Sequence, residues 1–489
     1  MKIIFIDIDT LRPDHMSCYG YHRKTTPNMD TIAQESLMLE NCFASDTPCL
    51  PSRAALNHGR FGIKTGAIDH GNYYADPVNG NVPRGFQQLG KFKRWVDCIK
   101  NLGYKTISIS SFGTRHDSYW SHSGYNEIYD CGKSGMEAAH EVIGTALNKI
   151  EENKDAENFF LHFHIWDPHT PYRTPESYGN PFEKEPVGNW YKSDLLEKHK
   201  NSYGMHSANY TIGAPKANLL PREVFKIDNL IDYKKWVDGY DVGIHYADYH
   251  IGLLIKKLKE LNLYEDTAII ITSDHGENQG ELNIYGDHQT ADLITHRVPM
   301  IIKWQGVKAK SNNKFYYQFD VAASIVELLG GKRPEGWDAQ SFKDEFQSGE
   351  YQGRNELYLS HGPWSLQRSV IWEDYIYIHT YLDGLKELNE NLLFNWKTDP
   401  HELEDLSHKM PEKVIEGSQM IMRWSNQMVS EGFLGYDPIM GLLKQNGPYH
   451  TTKQLHNLIK HYQKIDRPDI VTRLIIKYAG NPAYDFSKD

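Results

Sequence analysis

The chain has 489 residues, 39% hydrophobic and 24% charged, and a formal net charge of -11. That length exceeds one ordinary core and implies two domains, or a large domain with a smaller appendage, and the hydrophobic content excludes wholesale disorder. The acidic balance argues against nucleic acid as a partner, and no run approaches the ~18 apolar residues of a membrane span, so no membrane partner is expected.

Five cysteines without close pairs indicate neither a disulfide framework nor a thiolate zinc site, and they fit a reducing compartment. Residues 2–8 form a β-branched run that reads as a strand from the start, which places the protein in the cytoplasm unless a leader has been removed. The strand ends in Asp7-Ile8-Asp9-Thr10, where open α/β sheets carry their ligand sites. Asp7 and Asp9 are two apart and share a face, so a hard cation could use one or both. A helix is expected over 27–36 and a strand over 37–43. Cys49 follows at the end of a Pro-bounded loop, and a helix from about residue 52 would put Arg53 one turn from the thiol and aim its amides at an anion. A lone buried thiol is more often inert, so Cys49 by itself carries no assignment.

Phe86, Leu89, Phe92, Val96 and Ile99 recur at spacings of three and four and predict a helix over 85–102, followed by a strand through 109. A second helix is expected over 136–152 and a Phe-rich strand over 158–165. Directly after it, Asp167-Pro168-His169-Thr170-Pro171-Tyr172 makes a Pro-pinned turn that can hold an imidazole rigidly, as a general acid must be held. Residues 173–229 are polar, aromatic and without periodicity, and read as a lid that helps choose the substrate. A long helix follows over 230–261, then a strand over 267–272 that ends in Ser273-Asp274-His275-Gly276, a carboxylate and an imidazole at a strand end. A strand over 300–304 and a helix over 320–329 come next. After about residue 345, short alternating segments at 356–360, 369–372 and 375–380 predict an antiparallel sheet, with helices beyond.

Cys49, Pro51, Arg53, Gly59 and Arg60 resemble the modification signature of the sulfatase family, in which the cysteine is oxidised to formylglycine before folding. Asp9-Thr10-Leu11-Arg12 with Cys18-Tyr19-Gly20, the turn at His169 and Asp274-His275 resemble the family's other motifs in matching order, over about residues 2–406. The resemblance implies an α/β fold of the alkaline phosphatase superfamily: a large mixed sheet between helices, in a catalytic domain over 1–345, plus a smaller α+β subdomain with an antiparallel sheet over 346–489. It implies hydrolysis of sulfate monoesters, on a sulfated carbohydrate or small molecule, by a hydrated formylglycine whose two hydroxyls attack sulfur and then expel sulfate. A formylglycine-generating maturase acting on Cys49 is the implied partner.

Implied metal ligands are Asp9, Asp274, His275 and an oxygen on modified Cys49, with Asp7 as an additional candidate. This mostly oxygen set suits Ca2+, with Mg2+ or Mn2+ as alternatives. Arg53 and His288 are assigned to sulfate oxygens, and His169 to sulfate and the leaving oxygen. Arg115 and His116 are carried over from a family loop whose lysine is missing here, and His288 stands where relatives have a lysine. His58 replaces the family's usual Thr and has no assigned role. Two further readings share these residues. A phosphonate monoester or phosphodiester hydrolase would use the same cysteine and metal, and a non-catalytic binding protein would leave Cys49 unmodified.

Overall fold

A computed structural model describes residues 1–78, 93–211, 222–347, 349, 351–445, 447–451 and 454–479. Its strands, in chain order, are β1 (Lys2–Ile8), β2 (Leu37–Phe43), β3 (Asp46–Thr47), β4 (Lys105–Ile109), β5 (Glu127–Tyr129), β6 (Phe159–Ile165), β7 (Thr267–Thr272), β8 (Asn278–Gln279), β9 (Tyr285–Asp287), β10 (Arg297–Lys303), β11 (Lys310–Tyr317), β12 (Glu356–His361), β13 (Leu366–Trp372), β14 (Tyr375–Leu382) and β15 (Asn391–Asn395). Eight of them form a mixed sheet in the order β11-β2-β10-β7-β1-β6-β4-β5. β1 lies at its centre, parallel to β6 and β7, while β10 runs antiparallel between β2 and β7.

Both faces of β1 are covered, which is why its sequence is continuously apolar until the acids begin. Ile4, Ile6 and Ile8 join Leu161, Phe163 and Ile271 beneath the helices Ala139–Glu152 and Leu230–Glu260. Ile3 and Phe5 pack on the opposite face with Phe160, Ile270 and Trp95. Each such side chain, fully buried, contributes roughly 1.5–3 kcal/mol. The 31-residue helix Leu230–Glu260 begins at Asn229, whose side chain accepts the N–H groups of Ile231 and Asp232. No described helix is long and apolar enough to cross a membrane.

The second sheet has the order β15-β14-β13-β12-β3, antiparallel except at its edge, where β3 runs parallel to β12. Residues 46–47 therefore belong to the sheet built mainly by residues 356–395, and they lead directly into Cys49.

Some elements differ from the sequence reading. The helix expected over 85–102 is described only as Trp95–Asn101, and residues 85–92 lie outside the described residues. The helix after β3 begins at Cys49 itself and ends at His58, closed by Gly59 in the left-handed region. β11 was not anticipated: its Lys-Ser-Asn-Asn-Lys segment is polar because it forms the sheet's edge beside β2. Within 173–229 the chain forms the helix Ser193–Asn201, whose amphipathic run is too short to stand out, and residues 212–221 lie outside the described residues.

Candidate active site

The site sits at the carboxyl ends of β1, β6 and β7. In the parallel register Phe5 pairs with His162, and Asp7 pairs with His164 and Thr272. Since side chains alternate, Asp7, Asp9, His162, His164 and Asp274 emerge on one face of the sheet. The helix Cys49–His58 lies over that face and directs Arg53 onto it.

Cys49 is the meeting point of two groups of side chains. Its Sγ lies 3.0 Å from His275 Nε2. One candidate ligand atom from each of Asp9, Cys49, Asp274 and His275 lies within 4.8 Å of every other, and the same holds for Cys49, His169 and His288. All six residues are buried. The His275 Nδ1 is 2.8 Å from the Gly276 carbonyl oxygen, which leaves Nε2 as the nitrogen free for a ligand.

The acid side of this group fits a cation. Asp9 Oδ1 and Asp274 Oδ2 are buried without a hydrogen-bond partner among the described residues, although Asp274 Oδ2 is 3.1 Å from Arg53 Nη2. Buried carboxylate oxygens are rarely left so, and two of them beside an imidazole form an oxygen-rich donor set suited to a hard ion. Burial pushes the Asp9 carboxyl up, and that of Asp274 to about 6, against the pull of Arg53. A divalent ion would reverse this by favouring both carboxylates. Burial also pushes the Cys49 thiol well up, reinforced by Asp9 and Asp274, so as a thiol it stays protonated and is a poor nucleophile.

Arg53 is held by carboxylates. Its Nη1 donates to Asp7, and Nη2 lies 3.1 Å from both Asp9 Oδ2 and Asp274 Oδ2 and 2.9 Å from His164 Nε2. Its guanidinium stacks 4.8 Å from the Phe112 ring centroid. Asp7 lies outside both groups around Cys49 and touches Arg53 and, at 3.4 Å, His162 Nε2. Burial alone would raise its carboxyl, but Arg53 and then His162 more than offset that, and it lies below the usual carboxylate range.

On the other side, His169 Nδ1 contacts the Thr170 carbonyl, and its ring stands 5.7 Å from those of His288 and Trp166. The His288 ring is 4.1 Å from His275, and its Nδ1 is buried without a partner among the described residues. Burial, with neighbouring positive groups, pushes His169 and His288 well below the ordinary histidine range, so both rings are neutral before an anion arrives. Arg115 lies over Trp166 at 4.8 Å and donates to the Ser134 carbonyl at 3.3 Å. His116 is outside both groups, with its ring 4.7 Å from Phe112 and 4.9 Å from His70.

His162 and His164 were missed in the sequence. The signal was present: in Phe-Phe-Leu-His-Phe-His-Ile the imidazoles recur with the period of a strand, on the face that carries Asp7. Also missed was a seam joining distant segments. Asp69, fully buried, accepts the N–H groups of His70 at 2.8 Å and Tyr449 at 3.1 Å, and His70 Nδ1 meets His450 Nε2 at 2.9 Å.

A profile of the sulfatase family matches residues 2–331. Iduronate 2-sulfatase of Homo sapiens is 26% identical over 371 residues, or 67% of this chain, and the chain spans only 64% of that relative's length. The N-acetylglucosamine-6-O-sulfatase of Bacteroides thetaiotaomicron is 23% identical over 482 residues, 83% of each chain. A structure solved with its substrate D-glucosamine-2-N,6-O-disulfate matches with a TM-score of 0.69 at 18% identity, covering 88% of this chain and 98% of that one. The phosphonate monoester hydrolase of Agrobacterium radiobacter matches with a TM-score of 0.69 at 17% identity, over 87% and 96% of the two chains. These neighbours establish the alkaline-phosphatase-like fold, a large mixed sheet flanked by helices with a smaller, largely antiparallel sheet. Since the family profile spans most of the sequence, the chain belongs to the sulfatase family.

Proposed function

We propose that this protein hydrolyses sulfate monoesters on a sulfated carbohydrate, with Cys49 converted to formylglycine by a maturase. One observation carries the reading: Cys49 is shared by a cation-gripping group (Asp9, Asp274, His275) and an imidazole pair suited to an anion (His169, His288). Hydrated formylglycine at this position supplies two hydroxyls on one carbon, one for attack on sulfur and one whose deprotonation releases sulfate. Asp9, Asp274 and His275 would hold Ca2+, or Mg2+ or Mn2+, whose charge there acidifies a neighbouring hydroxyl.

The chain's own residues divide the remaining work. Arg53 presents a planar fork fixed by carboxylates, and His288 and Arg115 would bind sulfate oxygens, with His116 as a further contributor. His169 keeps Nδ1 on the Thr170 carbonyl, which turns Nε2 towards the leaving oxygen. An entering sulfate favours the imidazolium form of His169, so the substrate itself supplies the charge that makes this residue a general acid. Residues around 173–229 would bear on substrate choice.

The test compares turnover of an aryl sulfate with an aryl phosphodiester, using protein whose Cys49 peptide is shown by mass to be converted. Sulfate turnover with slow diester cleavage is expected. Faster diester cleavage would assign the chain to phosphonate monoester or phosphodiester hydrolysis instead.

A further inference from the structure

A cavity of about 40 Å³ is lined in part by Asp7, Arg53, Ser108, Ser121, His122 and His162. At 10–15 Å³ per molecule it admits on the order of three waters. On the residues that line it, four polar atoms are buried without a hydrogen-bond partner among the described residues: Asp7 Oδ1, Arg53 Nε, Ser121 Oγ and His122 Nε2. Buried polar atoms are seldom left unpaired, so four of them around one cavity set this corner of the fold apart. Asp7 is in turn held from the sheet. His162 Nε2 lies 3.4 Å from Asp7 Oδ2, and His162 Nδ1 is 3.0 Å from Ser108 Oγ on the adjacent β4.

Arg53 thus has carboxylates with different futures. Asp9 and Asp274 share its Nη2 and are the acids that would turn to a cation, whereas Asp7 takes Nη1 and lies outside the cation-gripping group. Were a cation held by Asp9 and Asp274, Asp7 would be the one of these three carboxylates that stays with the guanidinium, shared only with His162. We propose that Asp7, braced by Ser108 and His162 beside this small cavity, is the positioning residue that fixes Arg53 for catalysis, and not a metal ligand. The proposal rests on the sulfatase reading of the site.

The experiment uses the aldehyde-bearing full chain and 4-nitrophenyl sulfate. Asp7→Asn keeps shape and removes the charge that holds Nη1. It is expected to lower kcat/KM by roughly 10- to 100-fold, with Asp7→Glu recovering part of the loss. His162→Gln, which removes only the brace, should lower it by a smaller factor. Ca2+ affinity, read from the thermal shift on adding CaCl2, should change by at most about threefold in Asp7→Asn but by tenfold or more in Asp9→Asn. Asp7→Asn and Arg53→Lys should be less than additive in a double-mutant cycle, because each disrupts the same contact. The proposal is overturned by strict additivity, by an Asp7→Asn enzyme within threefold of wild type, or by equal loss of Ca2+ affinity in Asp7→Asn and Asp9→Asn. Absence of sulfate ester turnover in the wild-type enzyme would instead sink the functional reading, and the positioning role with it.

Discussion

The Nε2 of His275 stands 3.0 Å from the Cys49 sulfur while its Nδ1 is fixed on the Gly276 carbonyl. That pairing points Nε2 at whatever residue 49 carries, and burial beside two aspartates keeps a thiol there protonated. Activity should therefore track conversion of Cys49. Intact-mass analysis of the Cys49 peptide should show a loss of about 18 Da, from the elemental change of thiol to aldehyde, in active material. Cys49→Ala should lose about three orders of magnitude or more in kcat, as removal of a nucleophile does. An equally active Cys49→Ala protein would mean that position 49 takes no part in chemistry.

Removal of the cation gives a second expectation. Asp9 Oδ1 and Asp274 Oδ2 lack partners among the described residues, so chelation should abolish activity and added Ca2+ restore it. At 100 times its dissociation constant a bound ion stabilises the folded state by about 2.7 kcal/mol. Wild-type protein should accordingly show a Tm rise of a few degrees on adding CaCl2, and the Asp9→Asn, Asp274→Asn double variant should show little or none. A full calcium response in the double variant would place the ion elsewhere.

Much of this site could be read before the fold because its residues sit in short local patterns. Asp9, Asp274 and His275 follow apolar strands, and β1, β2 and β7 appear where those runs predict them. What escaped the sequence depends on partners far away. β11 is polar because it is an edge beside β2. The role of His162 exists only because β6 pairs with β1 in a register that sets it near Asp7. Likewise, nothing near Asp69 announces that its carboxylate accepts an N–H from residue 449.

That seam can be tested through stability. Asp69 is fully buried, and its carboxylate pairs the backbone N–H groups of His70 and Tyr449. Asp69→Ala leaves both donors unsatisfied, each costing about 1–3 kcal/mol. Asp69→Asn retains one acceptor oxygen and should lose about half as much. Urea midpoints of the three proteins would establish the order, and an Ala variant as stable as wild type would show that the seam carries no stability.

His58, buried at 2% exposure in the helix that begins at Cys49, supplies a pH expectation. Its Nδ1 is 2.9 Å from the Ala54 carbonyl oxygen, and burial pushes its pKa from 6.5 to about 3. Between those two values the unfolded chain binds a proton that the folded state refuses. Stability due to this residue is therefore fully present above pH 6.5 and is lost as pH falls towards 3, at up to about 1.4 kcal/mol per pH unit. His58→Gln cannot titrate and should lack that slope. Other buried histidines and carboxylic acids titrate in both proteins and largely cancel in the comparison. Measured from pH 6.5 down to 4.5, the stability difference between wild type and His58→Gln should shift by about 2–3 kcal/mol in favour of the variant. Parallel curves over that interval would mean that His58 takes up its proton without leaving the folded state.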